Sequence, residues 1–128
     1  MIVTFYSYKG GVGRSMALAN VADLLARSGL QVLLVDFDLE APGLEHFFPI
    51  DHDKIHANEG LLDLLLTFKH SMSVASGSEE RHAFRQLDRF VATVYPQRDG
   101  GGGLDLLPAG RRLTDEQMGR YGAELRQF

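Results

Sequence analysis

The chain has 128 residues, 45% hydrophobic and 23% charged, which suits one packed globular core and fits neither disordered nor membrane-embedded sequences. Its formal net charge of −4, with no basic block, gives no electrostatic footprint for nucleic acid, so neither DNA nor membrane contact is expected from this segment. It contains no cysteine, which excludes disulfides and thiolate metal sites from these residues and agrees with a reducing compartment. Met1 leads directly into Ile2-Val3-Thr4-Phe5 without a secretory pattern, and no apolar run approaches the roughly 20 residues of a membrane span. The expected compartment is the cytoplasm.

Ile2 to Tyr6 is a β-branched and aromatic run that reads as a strand, followed by a glycine-rich turn and a helical pattern from Arg14. Within that helix Ala17, Val21, Leu24 and Leu25 form an apolar stripe, and Gly29 is placed to end it near Ser28. Gln31 to Phe37, with its Val-Leu-Leu-Val core, reads as a strand buried on both faces, completing a βαβ unit. The right-handed connection of such a unit brings the glycine loop and the carboxyl end of this second strand to one sheet edge.

Ala41 to Glu59 reads as an irregular surface segment, Leu61 to Lys69 as a helix with core leucines, and Ser71 to Ser78 as an exposed loop. A second amphipathic segment spans Glu79 to Arg89. Phe90 to Tyr95 and Leu104 to Leu107 are expected strands joined by a turn whose glycines form a flexible connection. From Thr114 a helix with Met118, Tyr121 and Leu125 on one face runs to the last residue. His52 and His56 share i, i+4 spacing, but the absence of a convincing helix and of a nameable fourth ligand favours a solvated loop over a metal site. Arg111 and Arg112 are expected to be surface charges.

Lys9-Gly10-Gly11-Val12-Gly13-Arg14-Ser15 lies between an expected strand and an expected helix, the setting that a phosphate-binding loop requires. Gly10, Gly11 and Gly13 let successive backbone N–H groups converge on an anion, and the helix N-terminus adds its positive dipole end. Ser15 stands where the loop hydroxyl coordinates Mg²⁺. Arg14 occupies the slot of the lysine that reaches the β and γ phosphates. Arginine keeps the charge on a planar, bulkier fork.

These residues resemble the deviant Walker A motif of the MinD/ParA group, in a variant with arginine at position 14. That variant is similar to ATPase modules of larger bacterial signalling or defence proteins. Val32-Leu33-Leu34-Val35-Asp36-Phe37-Asp38 is similar to the group's strand ending in Asp-x-Asp, and Leu104 to Gly110 to one of its later strands and loops. The resemblance implies an α/β fold, a mainly parallel P-loop sheet with flanking helices truncated before its later strands, so that residues 1–128 form the N-terminal part of one domain. It implies ATP and Mg²⁺ as cofactors, held by Lys9 through Ser15 and Met16, with Ser15 and Asp36 serving the metal. Lys9, Arg14 and Asp38 would be catalytic: the two cations neutralise phosphates, Lys9 does so across an ATP-dependent homodimer, and Asp38 orients the attacking water. Leu39 to Leu44 would form a switch-like segment. The implied function is ATP binding with slow hydrolysis as a dimerisation or signalling switch; the alternatives are a nucleotide sensor without turnover and a partition-type cargo or DNA-positioning ATPase. Further domains or partner proteins are expected beyond residue 128, and these 128 residues alone are expected to be inactive.

Overall fold

The computed structural model describes residues 1–73, 87–97 and 101–126. Among the described residues four α-helices and three strands follow one another as α1 (Arg14–Arg27), β1 (Gln31–Val35), α2 (His52–Ala57), α3 (Leu61–Ser73), β2 (Ala92–Tyr95), β3 (Gly103–Leu107) and α4 (Asp115–Leu125). Short 3₁₀ turns at Leu44–Phe47 and Leu87–Arg89 precede α2 and β2.

The sheet has the order β1-β3-β2. β1 runs parallel to β3 with Leu34 opposite Leu106, and β2 is antiparallel to β3 with an irregularity between Thr93 and Tyr95. Leu34, Leu104 and Leu106 turn to the face that carries α1, packing with Ala19, Ala22, Ala26, Leu44 and Phe48. On the opposite face Val35 and Leu107 meet Leu61, Leu64 and Leu65 of α3 together with Phe90. Helices therefore flank a small α/β sheet on both sides. Among the described residues, no helix is long and apolar enough to cross a membrane.

Several elements differ from what the sequence suggests, each for a packing reason. Ile2 to Tyr6 forms no strand: Ile2 is 94% and Tyr6 81% exposed, so its β propensity meets no pleated, half-buried surface on which to act. Helix α1 buries Ala19, Ala22 and Ala26, while Ala17, Val21 and Leu24 of the expected stripe face outward. Small side chains let the helix axis approach closely enough that a Cβ on Gly102 would lie 2.2 Å from the Ala26 carbonyl oxygen. That contact also corrects the reading of the glycine run as mere flexible connection: Gly102 is required by close approach, and Gly103 opens β3 with its N–H donated to the Leu30 carbonyl. Leu33 of β1 is 54% exposed, so this strand is not buried on both faces.

The end of α1 follows its glycine. Gly29 has φ 95° and donates to Ala26, and Leu30 N–H reaches back to the Leu25 carbonyl at 3.1 Å, the paired bonds of a Schellman motif. The segment 41–59 is more ordered than its prolines and charges suggest, because Asp51 caps α2 by accepting from Lys54 N–H at 3.1 Å. Ser71 to Ser73 extend α3 instead of opening a loop, and the expected segments at 74–86 lie outside the described residues. Helix α4 starts with a capping box between Thr114 and Gln117, then ends at Leu125 before the chain does; Tyr121 is buried, whereas Met118 is 52% exposed.

Candidate phosphate-binding site

Gly11 and Gly13 adopt φ 73° and 78°, the left-handed region that L side chains avoid, and Gly13 is the N-cap of α1. No side chain caps that end, which leaves first-turn N–H groups of α1 available as donors. A Cβ built on Gly10 or Gly11 would meet nothing within 4 Å, so the loop backbone is open to an incoming group. Ser7 Oγ braces the entrance by donating to the Lys9 carbonyl at 2.9 Å, while Lys9, Val12 and Met16 are exposed and Ser15 is half-buried in the first turn. An open backbone with uncapped donors fits a phosphate, and the Ser15 hydroxyl and the carboxylates beyond β1 are oxygen donors of the kind Mg²⁺ prefers.

Opposite the loop, the chain leaves β1 through Asp36 and Asp38. Arg14 Nη2 donates to Asp38 Oδ2 at 2.8 Å, and its Nη1 reaches Ser7 Oγ at 3.4 Å. The glycine loop and the carboxyl end of β1 thus meet as expected, although Ile2 to Tyr6 forms no strand. Arg14 does so through the aspartate, in a partly exposed pair.

Asp36 is 2% exposed and organises the segment that follows it. Its Oδ2 accepts from Gly43 N–H at 3.0 Å and Leu44 N–H at 3.2 Å, and its Oδ1 from Asp38 N–H at 3.2 Å. Burial raises its pKa above the ordinary carboxylate value, and the three backbone donors oppose that rise. Asp38 Oδ1 accepts from Ala41 N–H at 3.2 Å. Residues 38–44 therefore wrap around two carboxylates.

A second set of polar contacts lies behind that segment. Glu45 is 1% exposed, and its Oε1 accepts from His56 Nε2 at 2.7 Å and from Arg112 Nη2 at 2.9 Å. Burial works to raise the pKa of Glu45, but its own backbone N–H, His56 and Arg112 outweigh it and hold the carboxyl below its usual value. Tyr121 Oη donates to the Leu39 carbonyl at 2.8 Å. Burial of that phenol pushes its pKa up to about 12. Arg112 is consequently no surface charge: its side chain is 9% exposed, whereas Arg111, at 32%, bridges Glu59 and Asp63.

Sequence reading passed over Glu45 and His56 as its partner, and placed Tyr121 on a helix face without its bond to Leu39. Glu45 did carry a signal, a lone acid between Leu44 and the Phe47-Phe48 pair, but its partner Arg112 lies 67 residues away and no local pattern joins them. His52 and His56 lie in helix α2 and not in a solvated loop, with His56 bound to Glu45; among the described residues no group of three or more His, Asp or Glu side chains is arranged to hold a metal.

A glycine loop with left-handed turns opening a helix, facing an aspartate pair at the end of a sheet strand, defines a P-loop nucleotide-binding domain. The chain belongs to the CobQ/CobB/MinD/ParA nucleotide binding domain family, which it matches over residues 3–122. It is similar to the septum site-determining protein MinD of Helicobacter pylori, 34% identical over 82 residues that make up 59% of this chain and 31% of that protein. An uncharacterized ATP-binding protein of Methanocaldococcus jannaschii is 37% identical over 114 residues, 89% of this chain and 34% of that protein. An iron-sulfur cluster carrier protein of Deinococcus radiodurans is 40% identical over 58 residues, 45% of this chain and 17% of that protein. In each match this chain covers about a third or less of the relative's length. No solved structure matches it.

Proposed function

We propose that this chain contributes the phosphate-binding half of an ATPase switch that binds ATP with Mg²⁺ and hydrolyses it slowly. The observation that carries the reading is the uncapped N-terminus of α1 at left-handed Gly13, with Arg14 of its first turn 2.8 Å from Asp38. Backbone N–H groups of the loop would bind the phosphates, Arg14 and Lys9 would offset their charge, and Asp38 would orient water. Ser15 would hold Mg²⁺ with support from Asp36, and the ion would neutralise charge between the phosphates. An ATP-dependent homodimer, with Lys9 reaching the partner's phosphates, belongs to the same proposal.

The Arg14–Asp38 pair favours a second reading, a nucleotide sensor that binds without turnover, because it engages both the loop cation and the water-orienting carboxylate. An iron-sulfur carrier among the relatives raises cluster chemistry as another task, but with no cysteine these 128 residues supply no thiolate for a cluster. The partition-type reading is weakened by the net charge of −4.

Gly13→Val tests the site. At φ 78° a β-branched residue is strained, and its side chain would stand where the backbone must approach a phosphate. Calorimetric titration with ATP and Mg²⁺ should find affinity reduced by about a hundredfold or more; unchanged affinity in a folded variant removes the P-loop reading.

A further inference from the structure

Residues 39–45 are tied down at three places, by Asp36 just before the segment and by groups further along the chain. Tyr121 of α4 holds the Leu39 carbonyl, Asp36 holds the N–H groups of Gly43 and Leu44, and Glu45 is held by His56 of α2 and by Arg112 beyond β3. The last tie centres on the less exposed carboxylate, Glu45 at 1% against 2% for Asp36. A carboxylate that is 1% exposed is costly to keep ionised, and here two donors converge on one oxygen to offset that cost. A carboxylate only accepts, so His56 presents Nε2–H to it. Arg112 is further constrained by its own backbone, whose N–H donates to the His56 carbonyl at 2.7 Å, and by a bond from its Nε to the Gly110 carbonyl at 3.3 Å.

We propose that Glu45, His56 and Arg112 form a positioning cluster that sets the conformation of residues 38–44, and with it the placement of the Asp38 carboxylate, from the far side of the segment. None of the three side chains bonds to the glycine loop among the contacts described, so the cluster acts on the aspartate arm of the site and not on the phosphate cradle. The connection is short. Glu45 directly follows Leu44, whose N–H is bound to Asp36, and Asp36 in turn accepts the N–H of Asp38. The stretch after β3, which carries Arg112 and Tyr121, thereby gains leverage over the residue proposed to orient water. Its importance for turnover rests on the switch reading above, but the mechanical link does not.

Hydrogen exchange on the 128-residue chain without nucleotide tests that link at the amides that touch the two aspartates: Ala41 for Asp38, Gly43 and Leu44 for Asp36. Arg112→Met should speed their exchange by about tenfold or more, while the β3 amides of Leu104 and Leu106, which open only with the core, keep the wild-type rate. Arg112→Lys should recover part of the protection. His56→Ala, at a less buried position, should produce a smaller change in the same amides and covers the case in which Arg112→Met does not fold. Unchanged exchange at 41–44 in both His56→Ala and whichever Arg112 variant folds overturns the proposal, as does acceleration spread equally over β3, which would mark general destabilisation. ATP affinity should be the same in wild type and His56→Ala; failure of the wild type to bind ATP counts against the proposed function and leaves the exchange result to decide the cluster.

Discussion

Arg14 is the residue at which this chain departs most from the lysine expected in such a loop, and its geometry shows what a guanidinium does that an ammonium does not. One fork places Nη2 on Asp38 and Nη1 toward Ser7, so a single side chain spans the loop and the end of β1. Lysine presents a single ammonium and cannot reproduce that planar spread. In a protein extended to the length of the relatives, Arg14→Lys should therefore leave phosphate release at saturating ATP similar or lower it by up to about tenfold. A clear increase would mean that the arginine restrains catalysis and would favour the sensor reading. At this scale the sequence was informative wherever a residue's role depends on its near neighbours. Gly13 and Gly29 could be assigned to turns from the patterns around them. Glu45 could not be assigned, because its burial is decided by Arg112 and by the path of the chain around β3.

Elements were legible when their hydrophobic pattern had one solution. β1, β3, α3 and α4 lie close to where their periodicity puts them, while α1 was correctly bounded and wrongly faced. Its larger apolar residues outweigh the alanines in any hydrophobicity argument, yet Ala19, Ala22 and Ala26 win because only they let the helix approach the backbone at Gly102. Helix α4 packs Tyr121 and Leu125 against Leu62 and Ala109, and Tyr121 adds a hydrogen bond from that buried face. Tyr121 is 8% exposed with its pKa raised to about 12, so its phenol stays protonated in the fold at a pH where the unfolded chain, near 10, has lost the proton. Its stabilising contribution is fully present below pH 10 and is lost as pH rises through about 12, about 2 to 3 kcal/mol in all. Denaturation midpoints of wild type should fall across that window, and Tyr121→Phe should lack that part of the decline. Equal alkaline slopes in the two proteins would show that Tyr121 is no more perturbed than an exposed tyrosine.

For the whole molecule, the amount of apolar surface left uncovered governs what the chain can do alone. Ile2, Val3, Tyr6, Leu24, Leu33 and Phe37 are all at least half exposed, and they lie on the N-terminal run, on the outer side of α1 and on or just beyond β1. Surface of that extent favours association, so the isolated chain should elute from size-exclusion columns above its 14.2 kDa mass as concentration rises. Turnover should also be negligible. Phosphoryl transfer needs charge positioned around the γ-phosphate from several directions. The described residues supply the loop, Arg14 and the two aspartates at the end of one strand, with Asp36 already committed to three backbone donors. The Helicobacter pylori and Methanocaldococcus jannaschii relatives are about three times as long as their matched regions, so a protein extended to comparable length is the proper comparison. Phosphate release measured side by side should be at the buffer background for the 128-residue chain and clearly above it for the extended protein, with ATP binding detectable in both. Brisk hydrolysis by the short chain would mean that Arg14, Ser15, Asp36 and Asp38 already make a complete catalytic set. Equal inactivity of the two, with ATP bound, would instead favour the sensor reading that the Arg14–Asp38 pair suggests.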